Sequence, residues 1–142
     1  MSDDNSTLWI AGSVSLPASP SSPPVPPVPP TRLLPHHKLL AYGVARAFLR
    51  AVLACKITDA ELRSHAVRSA KSVCLNCAEG AGRVSRADKA RAFAIARAEC
   101  VEAAAAVEIA ADCGDAAAEA AREVALLADR LVAMLTRLCR GG

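Results

Sequence analysis

The residues that could hold a metal or carry redox chemistry are six cysteines and three histidines. Cys74 and Cys77 form the one C-x-x-C pair, and two thiols three residues apart share a face of a helix, which is half of a zinc site. A tetrahedral site needs two more ligands, and the sequence has neither a second C-x-x-C nor an H-x-x-x-H. A redox motif of the thioredoxin type needs a βαβ context, which is absent. We therefore expect no metal and no cofactor, and a zinc or thiol site at this pair stays a minor alternative.

Catalytic motifs are equally sparse. His36 and His37 lie at a predicted helix start, His65 is isolated, and the sequence contains no G-x-S-x-G elbow and no Walker loop. The carboxylates are spread over polar helix faces instead of being paired for acid–base chemistry. The sequence predicts no catalytic residue and a protein that is not an enzyme.

A basic cluster around one predicted turn is the strongest chemical signal. The cluster consists of Arg83, Arg86, Lys89 and Arg91 at the turn, with Arg63, Arg68 and Lys71 behind them. Glu79 and Asp88 are the only carboxylates that oppose these positive charges. Such side chains can contact phosphates, and binding of that kind weakens with salt. The alternative is a solvated face that pairs with acidic residues between 99 and 123 on neighbouring helices or subunits. Charge alone does not separate the two, and four aromatic residues offer little for base stacking.

The charge is distributed unevenly along the chain. The 142 residues carry 17 Lys and Arg against 14 Asp and Glu, a net charge of +3. Residues 36–98 hold 12 basic and 4 acidic side chains, whereas residues 99–142 hold 4 basic and 8 acidic ones. The total is too small for a polyelectrolyte partner of nucleic acid, so a basic region and an acidic region are expected instead.

Two kinds of sequence meet near Pro35. All nine prolines precede residue 36, so residues 1–35 are predicted to form a disordered Pro/Ser-rich tail, in part a polyproline II spacer. Residues 36–142 are proline-free and rich in alanine, which favours helix. The N-terminus has no secretory n-region, and no apolar stretch approaches the length that crosses a bilayer. We expect no membrane association, a cytoplasmic protein and reduced cysteines.

Capping residues as start signals and glycines as stop signals predict four helices. The first runs from Pro35 to about Cys55, and Thr58 with Glu61 forms a capping box for the second. The remaining signals are Gly80 and Gly82 as the end of helix two, Ser85 as the start and Gly114 as the end of helix three, and Asp115 as the cap of helix four. Three short loops between four helices predict an all-α, antiparallel up-and-down four-helix bundle.

Apolar residues recur three or four positions apart on each helix. The predicted buried stripes are Ala41, Val44, Phe48, Ala51 and Cys55; Leu62, Ala66, Ala70, Val73 and Cys77; Phe93, Ala96, Cys100, Ala103, Val107 and Ala110; and Ala117, Ala120, Val124, Leu127, Leu131, Met134 and Leu138. Further apolar residues lie off these stripes, namely Leu49, Leu53, Ile95, Val101, Ile109, Leu126 and Val132. Exposed apolar surface of this kind usually marks an interface, so we expect a homo-oligomer.

The segment from Ser72 to Arg83, SVCLNCAEGAGR, resembles the S-I-x-x-N-I-A-E-G-x-G-R signature of a family of bacterial four-helix-bundle proteins. That family comprises the 23S rRNA intervening-sequence proteins and the Avd-type accessory proteins of diversity-generating retroelements. Phe93 and the spacing of Ala96-Arg97 to Glu102 are also similar to the third helix of the family, and the resemblance covers residues 36–140.

The resemblance implies an up-and-down bundle, pentameric rings in Avd-type members, and a non-catalytic role in association with RNA and, in retroelements, with a reverse transcriptase. It implies that Asn76 and Glu79 hydrogen-bond the turn, that Gly80 and Gly82 permit it, and that Arg83 projects from it. The sequence departs from the pattern at Cys74, Cys77 and Ala81, and its second half is acidic.

Together these observations predict an oligomeric accessory protein that binds RNA or a ribonucleoprotein through the seven cations of the basic cluster. The alternative is an assembly or adaptor protein whose charged faces mediate subunit or protein contacts without nucleic acid, with the Pro-rich arm recruiting a partner.

Overall fold

The structure of the chain is a computed structural model that describes Ser15 and residues 33–141. The predicted tail, including its polyproline stretch, lies almost entirely outside the described residues. The fold below is that of residues 33–141.

Four α-helices form the described part of the chain. A short 3-10 helix, Pro35–Lys38, precedes α1, Leu40–Ala54; α2, Ala60–Gly82; α3, Arg86–Asp112; and α4, Ala118–Gly141. Residues 33–141 contain no strand, so the all-α four-helix prediction is confirmed.

Each helix packs against its neighbours in chain order, and α1 also packs against α4, which closes the bundle. Contacts between α2 and α3 run in opposite order along the two helices. Gly80 meets Phe93 near the turn, and Arg68 lies near Glu102 further along. The two helices are therefore antiparallel. The same holds for α3 and α4, where Arg97 donates to Thr136 at 2.9 Å and the later Cys100 lies against the earlier Ala128.

The first helix is shorter than predicted. Pro35 begins the 3-10 turn, and Leu39 has extended backbone angles before α1 starts at Leu40. At the other end, Lys56 has a positive φ of 47°, which reverses the chain direction after Cys55. Residues 33–39 are thus a separate segment that leads into the bundle.

Two of the three predicted caps are wrong. Asp59, not Thr58, caps α2: its carboxylate accepts from the Leu62 N–H at 2.7 Å. The hydroxyl of Thr58 instead donates to the Asp115 carboxylate, which joins the two connections at this end. Asp115 therefore does not cap α4, which begins three residues later at Ala118. Ser85 caps α3 as predicted, accepting from the Asp88 N–H at 3.2 Å, and Gly114 has a φ of +82° after its end.

The predicted core stripes of α1 and α3 are fully buried, and that of α2 is buried except for half-buried Leu62. The stripe predicted for α4 is rotated. Ala117 is exposed and Ala120, Leu127, Met134 and Leu138 are half-buried, whereas the buried residues are Ala121, Val124, Ala128, Leu131 and Leu135. The Cys100 thiol lies 3.9 Å from the Ala128 carbonyl oxygen, so small side chains face α3 and let it approach closely.

Apolar side chains remain on the surface where predicted. Ile95, Val101 and Ile109 on α3 are 42–51% exposed, and Leu126 on α4 is 74% exposed. Leu53 is also exposed, whereas Leu49 and Val132 are half-buried. The outward face of α3 thus carries a second apolar row, formed by Ala94, Ala98, Val101, Ala105 and Ile109.

Among the described residues, no helix combines the length and the apolarity that a membrane span requires.

Candidate nucleic-acid interface

The antiparallel helices gather the basic turn, the start of α1 and the end of α4 at one end of the bundle, called here the turn end. One cleft at this end is lined by Lys38 and Leu39 before α1, by Lys89 on α3 and by Arg137 on α4. The opposite end, called here the far end, holds the α1–α2 and α3–α4 connections, which the hydrogen bond from Thr58 to Asp115 joins.

The two ends differ in charge. Within seven residues of the helix ends and in the connections, the turn end has eight cations and two carboxylates, and the far end has four cations and seven carboxylates. The turn-end cations are Lys38, Arg46, Arg83, Arg86, Lys89, Arg91, Arg137 and Arg140, and its carboxylates are Glu79 and Asp88. The two halves of the sequence that differ in charge pack side by side, yet the folded bundle is polarised along its axis.

Arg83 is the cation at the turn that is most firmly paired. Its guanidinium donates to the Glu79 carboxylate from Nε at 3.1 Å and from Nη2 at 2.5 Å. This hydrogen bond, with the charge of Glu79, raises the pKa of Arg83. The pair also spans one helical turn, since the backbone N–H of Arg83 donates to the Glu79 carbonyl at 3.0 Å. Arg83 therefore stabilises the end of α2.

Arg86, Lys89 and Arg91 carry the charge that the turn presents to solvent. None of them lies within 4.0 Å of a described carboxylate oxygen. Arg86 and Arg91 are exposed, and Lys89 is half-buried and lines the cleft at the turn end. Arg91 lines a second small cleft with Glu79 and Asp88. The Ser85 cap fixes the first turn of α3, which carries Arg86 and Lys89.

The other three predicted cations do not join this group. Arg63 lies twenty residues before Arg83, which directly follows the same helix, a distance of about 30 Å. Its guanidinium donates to the carbonyls of Ile57 and Thr58 at 2.9 and 3.2 Å, so it holds the α1–α2 connection at the far end. The seven predicted residues are therefore spread along the length of α2 and the start of α3 instead of clustering at the turn.

Arg68 and Lys71 occupy the middle of α2. Arg68 lies 3.6 Å from the Glu102 carboxylate on α3 and 3.1 Å from the His65 ring. Lys71 is exposed on the outward face of the helix, near Leu75, which is 70% exposed. Together with Arg63, this pair lines a groove along α2 that extends to Glu79 near the turn.

The signature residues act differently from what the resemblance implies. Asn76 donates to the carbonyl and the hydroxyl oxygen of Ser72 at 2.9 and 3.1 Å, one turn earlier in α2, and not to the turn. Glu79 accepts from the Arg83 side chain and not from backbone donors.

Gly80 does not end α2, which continues to Gly82. A Cβ built at Gly80 would lie 2.6 Å from the Phe93 ring, so glycine is required there for the contact between α2 and α3. Gly82, by contrast, is exposed and would place a Cβ in open space.

Lys38 and Arg137 are cations of the turn-end cleft that the sequence did not single out. They are far from residues 83–91 in the chain, and their local patterns are unremarkable. The antiparallel order of the helices is the signal that could have found them, because it predicts that residues near 38, 85 and 138 meet at one end.

The thiols of the predicted pair, Cys74 and Cys77, and that of Cys100 lie in or against the core. Burial raises the pKa of Cys100 to about 12, and burial with the neighbouring Cys74 and Cys100 thiols raises the pKa of Cys77 to about 12. Burial also raises the pKa of Cys74, against the opposing effect of Arg46 and Arg50. Metal binding and thiol exchange need thiolates, which these environments disfavour. Within residues 33–141 no three potential metal ligands cluster.

Comparison with known proteins gives one result. No curated protein matches the chain. The family model described as "23S rRNA-intervening sequence protein" matches residues 38–137, which is the bundle from the 3-10 helix to the last turns of α4. The chain therefore belongs to the 23S rRNA-intervening sequence protein family.

Proposed function

We propose that this protein is a non-catalytic, homo-oligomeric accessory protein that associates with RNA or a ribonucleoprotein through the turn end of its bundle. The observation that carries the proposal is the excess of eight cations over two carboxylates at that end. Phosphate contacts depend on such local excess and not on net charge, which is only +3. The family description, which names 23S rRNA, supports a ribonucleoprotein setting.

Within this surface the cations divide by role. Arg86, Lys89 and Arg91 are available for phosphates because no described carboxylate pairs with them, and Lys71 offers a further contact along α2. Arg63, Arg68 and Arg83 have partners in the same chain and act mainly in positioning. A reverse transcriptase is the protein partner that the Avd-type resemblance suggests for the same assembly.

Oligomerisation accounts for the exposed row on α3. Val101 and Ile109 lie on the same outward face as Ala94, Ala98 and Ala105, and small residues at this spacing let a second helix approach closely. We propose a homo-oligomer, with the pentamer of the Avd-type relatives as the stoichiometry to test.

Retention of single-stranded RNA on the purified protein, measured from about 50 to 300 mM salt, tests the proposal, because contacts with several phosphates must weaken steeply over this range. The variant R86Q/K89Q/R91Q is expected to lose most of the retention. R50Q/R122Q/R130Q removes the same charge from surfaces away from the turn and should keep it. Absence of retention by the wild-type protein at the lowest salt contradicts the proposal.

The second candidate is an assembly or adaptor protein. It is favoured by Glu108, an exposed carboxylate beside the α3 row that has no described ion pair and is available to a cation of another subunit. If the protein is an assembly or adaptor protein of this kind, high salt dissociates the oligomer and RNA is not retained. Light scattering across the same salt series separates the two, since assembly through the apolar row survives high salt.

A further inference from the structure

The cleft at the turn end is built from four parts of the chain. It has a volume of about 430 Å³, and its floor includes Leu39, Phe93 and Leu138. Lys38, Lys89 and Arg137 stand around it, one before α1, one on α3 and one on α4. No carboxylate is among its described lining residues. Apolar pockets of a few hundred Å³ with a few convergent polar groups are typical of small-ligand sites.

Three cations, two of them exposed and one half-buried, line the cleft with no described carboxylate among them, and an anion bound there would offset their mutual repulsion. The three residues are 51 and 48 positions apart in the sequence, so local helix preferences do not explain why they meet. Lys89 is half-buried, which strengthens its attraction for an anion relative to a fully solvated side chain. An anion that also has an apolar or planar part fits the floor.

Three aromatic rings lie near the cleft, two on the 3-10 helix that Lys38 ends and one on α1. The His36 ring centroid is 4.7 Å from that of Tyr42 and 4.2 Å from that of His37, with edge-on geometry. The three rings flank Lys38 in the sequence, and His37 and Tyr42 line a neighbouring hollow with Arg46. Rings beside cations are what a single-stranded nucleic acid uses for stacking and phosphate contact.

We propose that the turn-end cleft is a nucleotide site, in which Lys38, Lys89 and Arg137 hold the phosphate of one nucleotide of a single-stranded RNA while the adjacent base stacks against His36 and Tyr42. The inference rests on the proposed RNA association and places its contact point at the bundle end. The same chemistry, a phosphate ester on a nucleoside, is also offered by a free nucleotide.

The first experiment compares binding of a labelled single-stranded RNA by fluorescence anisotropy for three proteins. The variant K38Q/K89Q/R137Q is expected to bind at least about tenfold more weakly, and its log–log salt slope should fall by about 2, the effect of three lost phosphate contacts on a single strand. The control R50Q/R122Q/R130Q, with the same change in charge, should stay within about threefold of wild type. Equal losses in both variants overturn the cleft proposal and leave RNA association standing.

The second experiment titrates the wild-type protein with 5′-AMP and with adenosine and follows backbone amide shifts by NMR. Shifts at Lys89 and Phe93 with 5′-AMP but not with adenosine support the site, even where the triple variant fails to fold. If RNA is not retained at low salt but 5′-AMP produces these shifts, RNA association fails and the nucleotide site stands for a free nucleotide. If neither compound shifts these amides, the cleft proposal is overturned.

Discussion

Gly80 and Phe93 set the distance between α2 and α3. A methyl group at Gly80 would approach the ring to 2.6 Å, closer than packed atoms come. We expect Gly80→Ala to lower the free energy of unfolding by about 1–3 kcal/mol, since overpacking outweighs the better helix preference of alanine. Urea denaturation measures the change.

Gly43 in α1 is the matched control. It is exposed, and a Cβ there meets nothing within 4 Å, so Gly43→Ala should raise the free energy of unfolding by up to about 1 kcal/mol. Phe93→Leu in the Gly80→Ala background should recover part of the loss. Stabilisation by both alanine substitutions would show that the contact is not tight.

Ser69 on α2 is fully buried, and its hydroxyl is the one described buried side-chain group without a hydrogen-bond partner. Burying such a group without a partner costs about 1–3 kcal/mol. Ser69→Ala removes the hydroxyl with almost no change in volume and should stabilise the protein by about 1 kcal/mol in thermal or urea unfolding. Ser72→Ala is the control, because the Ser72 hydroxyl accepts from Asn76; a gain of similar size there would assign the effect to helix preference alone.

The buried thiols make stability depend on pH in the alkaline range. The pKa values of Cys77 and Cys100 rise from the ordinary 9.0 to about 12 in the folded state. Above pH 9 the unfolded chain releases these protons and the folded chain keeps them, so stability is complete below pH 9 and falls as the pH rises toward 12. Unfolding free energies between pH 8 and 10.5 should decline less steeply in C77A/C100A. Identical slopes would contradict the buried environment of these thiols.

At the scale of the helix, α2 carries cations with different tasks. Arg63 holds the carbonyls of Ile57 and Thr58, whereas Lys71 has no described ion pair. Arg63→Gln is therefore expected to lower the free energy of unfolding by about 1 kcal/mol and to leave RNA retention unchanged. Lys71→Gln should do the reverse, leaving stability within about 0.5 kcal/mol and weakening RNA retention. If Arg63→Gln alone abolishes RNA retention and leaves the free energy of unfolding unchanged, Arg63 contacts RNA.

Local patterns predicted most of the elements and missed what depends on their partners. The stripes of α1 and α3 are correct, and on α3 the buried stripe is the one that contains Phe93 and Val107, whereas the second apolar row of that helix faces outward. On α4 the buried face is displaced from the predicted stripe, because the close approach of α3 buries Ala121 and Ala128 and leaves Leu127 half-buried. Thr58 and Asp115 both have the chemistry of caps, yet they bond each other because the antiparallel packing brings the two connections together.

The candidate site was predictable in part for the same reason. Arg86, Lys89 and Arg91 follow one another in the sequence, so their clustering is a local property. The separation of Arg63 from them follows from the rise per residue of an α-helix, so it can be calculated from the residue numbers alone. Lys38, Lys89 and Arg137 line one cleft because the helices of the bundle are antiparallel. No short segment of the sequence indicates this arrangement.

At the scale of the whole molecule, the exposed row on α3 is expected to mediate self-association. V101E/I109E places two charges on the outward face without touching the core and should shift the protein to the monomer in light scattering, with helix content unchanged by circular dichroism. Leu75→Glu, at a similarly exposed site on α2, is the control and should keep the oligomer. A wild-type protein that is already monomeric, or an unchanged mass in the double variant, would place the interface elsewhere or remove it.

The lengthwise separation of charge has a geometric consequence for any assembly. If the subunits of a closed ring share one axis direction, every cationic tip lies on the same rim, and the opposite rim is uniformly anionic. Such a particle has two chemically distinct sides, and a polyanion binds preferentially to the cationic one. If neighbours alternate in direction, both rims are mixed and the preference disappears, so the sidedness of the assembly follows directly from how adjacent bundles are oriented.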